Sequence, residues 1–209
     1  MPVKAGVMPE LKTRRQADKK REPSSRFFVP ALLFYAGFGG HEPALKLTLY
    51  FRYHVHMDYQ AIISAPFGKL GIRCSGTDLL GIEFLPRKTR SQPPQGEMAK
   101  TICAELEAYL ADAKHEIDLP FELDGTHHQC NVWQAMLEIP CGQTMSYGEL
   151  AKQIGSSAQA VGQACGNNPI PIVIPCHRVV SKTGLGGFMH RADDDALAIK
   201  RWLLAHERL

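Results

Sequence analysis

Six cysteines are spread over 209 residues without one Cys-x-x-Cys pair, which removes zinc-finger and thioredoxin-like spacings from consideration. No stretch reaches the ~18 apolar residues that a membrane-spanning helix requires. The longest apolar run, residues 27–39, is broken by Pro30 and Gly37 and follows a basic segment. That order loosely imitates a secretory leader, but the basic part is too long and no clean small-residue cleavage site follows. A chain of this size with scattered cysteines is also not a cysteine-dense secreted scaffold, so the sequence predicts free thiols in a reducing compartment, the cytoplasm, and no membrane partner. Internal repeats are lacking as well.

A strong overall charge is missing too. The net formal charge is +3, and residues 1–56 carry ten Lys/Arg against four Asp/Glu, giving +6, while residues 57–209 carry fourteen against seventeen, giving −3. The mild basicity belongs to the N-terminal stretch and says nothing about nucleic-acid binding by the remainder, which would need a local patch. Hydrophobic residues at 44% and charged residues at 22% are ordinary globular usage, which excludes disorder along the whole length. The length fits one large domain or two small ones.

Residues 1–26 are polar and basic without apolar periodicity, and are expected to be a disordered tail. Residues 27–56 are apolar but aperiodic, and Met57 offers an alternative start of the protein. From there Ile62 and Ile63, then Leu70 and Ile72, then Leu80, Ile82 and Phe84 mark three short strands, with Gly68 and Ser75-Gly76 as turns, the pattern of an antiparallel meander. Met98, Ile102, Leu106 and Leu110 recur at four-residue steps and predict a helix over 97–113. A second helix is expected over 132–139, stopped by Pro140, and a domain boundary near Gly125. These divisions give an N-terminal extension (1–56), an α/β part (57–125) and a helical part (126–209).

Ser146 followed by Glu149 has capping-box spacing ahead of Leu150, Ala151 and Ile154. Gly155 ends that helix, and Ser156 with Gln159 gives a second capping box opening a helix over 158–166. Two short helices joined by a Gly-containing turn are a helix-turn-helix signal. The second is unusual in its small residues Ala158, Ala160, Gly162, Ala164 and Gly166, which suit close approach to another surface, although the spacing alone favours tight packing in a core. An apolar strand-like run over 170–174 then leads to Pro175-Cys176-His177-Arg178-Val179. A cysteine beside a histidine after a buried run suits a nucleophile with a lowered thiol pKa. Adjacent side chains point apart, so His177 would reach Cys176 through one water. An inert buried cysteine fits the same residues.

The run Asn168-Pro169-x-Pro171-x-x-x-Pro175-Cys176-His177-Arg178-Val179, with Ser146-Tyr147-Gly148 before it and Trp202-Leu203-Leu204-Ala205-His206-Glu207 at the end, resembles the signature of the O6-alkylguanine-DNA alkyltransferases. The three blocks stand in family order, and the resemblance covers roughly residues 57–209. It implies an α+β protein: a small ribonuclease-H-like α/β N-terminal domain, then a helical DNA-binding domain with a helix-turn-helix and an active-site cysteine loop. It implies direct-reversal repair by a single-turnover suicide enzyme, in which Cys176 takes a methyl or small alkyl group from guanine O6, or thymine O4, in DNA. By the same resemblance His177 is the water-mediated base, Glu207 its orienting partner, and Tyr147 the proton donor to the departing base. Asn168 pins the loop, Cys176 and Val179 backbone groups read the guanine edge, and Phe188 and Lys200 lie near the pocket. Gln159, Ala160, Gly162 and Arg178 are expected on the DNA side. The partner is double-stranded DNA, entered by the minor groove with the target nucleotide flipped out. Each of these residues also has a plain structural reading: Glu207 as a helix-end carboxylate, Lys200 as an exposed lysine, Tyr147 as a core aromatic.

Two departures stand out. The family places an arginine at the start of the recognition helix, where this chain has Gln159, which is shorter and uncharged; slower repair or weaker DNA binding is expected. The lid after Phe188 is longer, with Met189, His190, Arg191 and the run Asp193-Asp194-Asp195; the acidic run also suits the N-terminus of a last helix. No metal or other cofactor is expected, since His127 and His128 have no cysteine pair at zinc spacing. A monomer is expected. Two other functions compete: a non-catalytic lesion binder, and an unrelated cysteine hydrolase using Cys176, His177 and Glu207. The first would acquire no methyl group, and the second would turn over.

Overall fold

The computed structural model describes residues 59–208. The expected tail, the apolar segment 27–56 and the alternative start at Met57 lie outside them.

Three strands, β1 (Ala61–Ala65), β2 (Gly68–Cys74) and β3 (Leu79–Leu85), form an antiparallel meander in the order 1-2-3, as the turn signals predict. Ile63 pairs Leu70, Leu70 pairs Phe84, and Ile72 pairs Ile82. Because side chains alternate along a strand, these residues share one face. A bulge at Arg73/Cys74 shifts the register of β2 on β3, and this corrects one expectation: Leu79 is fully buried while Leu80 is exposed. The period-2 pattern read through the turn put the wrong leucine inside. At Gly68, φ is +153° and a Cβ would stand 2.6 Å from the Leu85 carbonyl oxygen, so the hairpin requires glycine there.

Helix α1 (Glu97–Ala111) lays Ile102, Leu106 and Tyr109 into the core beside the sheet. Burying a leucine or isoleucine of this kind contributes about 1.5–3 kcal/mol. Helix α2 spans His127–Leu137 and begins five residues before the expected start. Thr126 accepts from the Gln129 N–H, and the Gln129 side chain caps the Thr126 N–H in return, a capping box the apolar pattern alone does not reveal. The Trp133 Nε1–H donates to the Ala164 carbonyl at 2.8 Å, so α2 holds α4 (Ala158–Gly166) in place. Between them β4 (Met145–Ser146) runs directly into α3 (Tyr147–Gln153) with Ser146 and Glu149 as its capping box. β4 pairs in parallel with β5 (Val179–Val180). The last helix, α5, covers Asp194–His206, with Asp193 as N-cap and Asp194 and Asp195 in its first turn. The acidic run therefore complements the helix dipole, as the sequence suggests.

Two further expectations are corrected. The cap of α4 is Ser157, which accepts from the Ala160 N–H, whereas the Ser156 hydroxyl meets His128 Nε2 at 2.8 Å. The Ser156–Gln159 box does not form, and Gln159 stands exposed on the first turn. Residues 170–174 form a tight loop rather than a strand, because Pro169 and Pro171 have no N–H to give a ladder.

The core runs unbroken from the sheet through Leu119 and Leu123 to Val132 and the later helices, and all described residues fall in one compact unit. The Ile82 N–H donates to the Pro169 carbonyl at 2.9 Å. Phe84 lies 5.4 Å from Phe188, and Phe67 lies 5.2 Å from Trp202. The architecture is mixed helix and sheet with small sheets. No helix among the described residues is long and apolar enough to cross a membrane.

Candidate active site

The cysteine loop is closed by one side chain. Asn168, 2% exposed, donates Nδ2–H to the Ile174 carbonyl at 2.8 Å and accepts the Ile170 N–H at 3.1 Å. The Ile174 N–H adds a bond to the Ile170 carbonyl. Within this clasp Ile172 is held at φ 77°, a left-handed conformation that for a β-branched residue costs on the order of 1–3 kcal/mol. Such strain persists only because the loop's hydrogen bonds and buried isoleucines determine its path. Cys176 then opens a single 3₁₀ turn, Cys176–Arg178.

Cys176 is buried at the floor of a cavity of about 210 Å³, walled by Tyr147, Gly162, Cys165, Phe188, Met189 and His190 among others. Burial pushes its thiol up, while Asn168, Lys200 and local backbone groups pull it back. His177 is fully buried, and its Nε2 meets Glu207 Oε1 at 2.8 Å. A carboxylate only accepts, so Nε2 carries the hydrogen and Nδ1 the lone pair. Nδ1 has no hydrogen-bond partner among the described residues. Burial holds the His177 pKa below its ordinary value, against the pull of Glu207.

Glu207 is the hub of the site. Its carboxylate accepts from His177, from Arg178 Nε and Nη2 at 2.9 Å each, and from the Tyr109 hydroxyl at 2.8 Å. Burial alone would raise its pKa, but the bonds from His177 and Arg178 outweigh that and hold it well below the carboxylate range. Arg178 spends its remaining Nη1 on the Ile139 carbonyl. Its guanidinium is thus committed inside the protein, away from the DNA-side position expected for it.

Lys200 is likewise placed inside. It is fully buried, and its ammonium donates to the carbonyls of Val179 and Leu185 at 2.7 Å and of Gly187 at 2.9 Å. Those three bonds use all its hydrogens. Burial lowers its pKa to about 8, and the ammonium ties down the segment that carries Phe188. Tyr147, which follows the Ser146 that pairs with Val180, has its phenol pushed to about 12 by burial and by Cys165 and Cys176. Its hydroxyl meets the Gly187 carbonyl at 3.3 Å. The Val179 carbonyl is engaged by Lys200 and its N–H by the Cys176 carbonyl.

The segment after Phe188, expected to be a lengthened lid, is a two-residue hairpin. The Phe188 N–H bonds the Arg191 carbonyl and the reverse, and Met189 and His190 both have positive φ, 51° and 58°. The His190 ring covers Gly166, where a Cβ would come within 2.6 Å of three ring atoms, and Nε2 donates to Asn167 Oδ1 at 3.1 Å.

Cys176, Tyr147 and Phe188 therefore line one cavity, and His177, Glu207, Asn168 and Lys200 are bonded to one another or to the segments that carry those three. Gln159, Ala160 and Gly162 lie along α4, Gly162 at the cavity wall. Sequence reasoning misses Tyr109 and Cys165; Cys165 stands on the small-residue face of α4 and could have been found from that spacing.

Residues 127–209 match the family described as 6-O-methylguanine DNA methyltransferase, DNA binding domain. The methylated-DNA–protein-cysteine methyltransferase of Mycobacterium tuberculosis is 40% identical over 146 residues, covering 65% of this chain and 88% of that protein. The protein of the same name from Methanosarcina acetivorans is 36% identical over 157 residues, covering 71% and 97%. The crystal structure of Mycobacterium tuberculosis OGT in complex with DNA superposes with a TM-score of 0.61 at 36% identity, over 70% of this chain and 91% of that one. On these matches, which extend well upstream of residue 127, the chain belongs to the family of methylated-DNA–protein-cysteine methyltransferases.

Proposed function

We propose that this protein repairs DNA by direct reversal, moving a methyl or small alkyl group from guanine O6 irreversibly onto Cys176. The observation that carries this reading is the arrangement of Cys176 at a cavity floor with His177 locked by Glu207 behind it. The Cys176 S–H proton passes through one water to His177 Nδ1, and the imidazolium is held by Glu207. The sulfur attacks the alkyl carbon, the S–C bond forms and the C–O6 bond breaks. Tyr147, kept protonated by its raised pKa, donates a hydrogen bond and then its proton to the leaving base. The phenol is reprotonated at the cost of the proton held by His177. A neutral leaving group lowers the barrier. The thioether that remains has no easy leaving group, so each molecule reacts once.

The target atom is hidden in a duplex, so the nucleotide must be flipped into the cavity, at a cost of a few kcal/mol. α3 and α4 then act as a helix-turn-helix, with the small residues Ala160 and Gly162 letting α4 approach the minor groove. Gln159, exposed on the first turn, occupies the place of the flipped base. Of the 57–125 part, the described residues form a ribonuclease-H-like brace, and the 126–209 part carries the chemistry. Every reacting group comes from one chain, so a monomer suffices. The relay behind Cys176 favours transfer over passive lesion binding.

The test is mass spectrometry of the protein after mixing with a duplex containing O6-methylguanine. One methyl on the Cys176 peptide, one per molecule and absent in Cys176→Ser, is the expected result. DNA binding without methyl gain would overturn the transfer reading, and repeated turnover of an ester would replace it with hydrolysis.

A further inference from the structure

Glu207 is reached from the far side of the molecule. Tyr109, on the last turn of α1 and 98 residues away in sequence, donates its hydroxyl to Oε1, the same oxygen that accepts the His177 Nε2–H. The phenol is buried, and the position is gripped twice more: the Tyr109 carbonyl meets His206 Nε2 at 2.7 Å, and the rings of Tyr109 and His206 pack edge-to-face at 5.4 Å. Trp202 also stacks on the His206 ring at 4.7 Å. None of these three residues lines the cavity. They aim one neutral donor at the carboxylate behind the base.

We infer that Tyr109 is a positioning residue for alkyl transfer, setting the orientation and basicity of Glu207 and through it the proton affinity of His177. The inference rests on the transfer reading given above. A neutral hydrogen bond to a carboxylate stabilises its charge and lessens its pull on a neighbouring proton. Burial, and then Glu207 itself, raise the Tyr109 pKa, so the phenol remains a donor across the working range. The other groups facing the pair are accounted for: Arg178 is fixed on both carboxylate oxygens, Lys200 and Cys176 lie on the cavity side, and the Cys141 thiol approaches from the loop before β4. Arg178 and Lys200 oppose a charged His177, whereas Tyr109 tunes the one group that favours it.

Removing the hydroxyl leaves Glu207 more basic and His177 easier to protonate. A histidine already protonated cannot take the thiol proton, so on acidification transfer should be lost at a higher pH than in the parent protein. The experiment is the single-turnover rate of methyl transfer to Cys176 across pH 5–9 for the full chain and for Tyr109→Phe. The expected result is an acid limb displaced upward by roughly half a unit. Replacing Tyr109 with 3-fluorotyrosine, a stronger donor of nearly equal shape, should displace it downward and guards against a phenylalanine variant that does not fold. Profiles that superpose, whatever the rate or stability, would overturn the inference. A parent protein that gains no methyl would instead overturn the transfer reading.

Discussion

Glu207 concentrates the site's electrostatics in one side chain. Its pKa is lowered on folding because His177 and Arg178 overcome its burial. A carboxylate lowered in this way contributes stability that is fully present above its unfolded pKa, ~4.3, and that is lost as pH falls below it. Glu207→Gln should therefore flatten the decline of stability below about pH 4. At neutral pH the same change leaves the largely buried Arg178 without its counter-charge, a loss of about 3–5 kcal/mol. It also removes the group that holds the imidazolium, so methyl transfer should fall by about 10²-fold or more. Urea unfolding at several pH values and single-turnover kinetics check the two effects separately. At this scale the sequence is legible where the chemistry is local: Cys176, His177 and Asn168 sit in one contiguous signature. Arg178 and Lys200 are less legible, because a cation in a DNA-binding segment reads as surface, and only the fold shows which acceptors each one meets.

Helix α4 and the hairpin after Phe188 carry the two departures that the resemblance singles out. Gln159 is exposed on the first turn of α4, where the proposed function puts the gap left by the flipped base. An arginine there adds one phosphate- or base-seeking cation, so Gln159→Arg should tighten DNA binding, raise the repair rate and steepen the salt slope by about 1. Unchanged affinity and rate would remove any role for this position. The hairpin tip is held differently, by two non-glycine residues at positive φ. That costs roughly 1–2 kcal/mol per residue and is offset by the His190 contacts with Gly166 and Asn167. Replacing Met189-His190 by Asn-Gly suits such a turn but removes two walls of the cavity. The expected outcome is an unchanged or higher melting temperature, with O6-benzylguanine gaining on O6-methylguanine in competition. The helices are legible from caps and periodicity. Prolines hide the cysteine loop, and the choice of Ser157 over Ser156 depends on His128, which no local pattern brings near.

Across the whole molecule, the sheet that performs no chemistry supports the part that does. A boundary near Gly125 is a reasonable reading of the glycine and the change in pattern, yet the core passes through that point without a gap. What the sequence could not show are the links that need the folded chain: Ile82 to Pro169, Phe84 to Phe188 and Tyr109 to Glu207. These links predict one cooperative unfolding transition for the described region, seen identically by far-ultraviolet and near-ultraviolet circular dichroism. They also predict that damage in the sheet reaches the cavity. Phe84 lies outside the cavity but packs on Phe67 and on Phe188, its wall. Phe84→Ala should cost about 3 kcal/mol or somewhat less, since the ring is only partly buried. It should also slow alkyl transfer several-fold, through a wall that no longer holds the flipped base in line with Cys176. Two separate transitions, or a destabilised Phe84→Ala protein that transfers at the parent rate, would show that the sheet is a passive neighbour of the site.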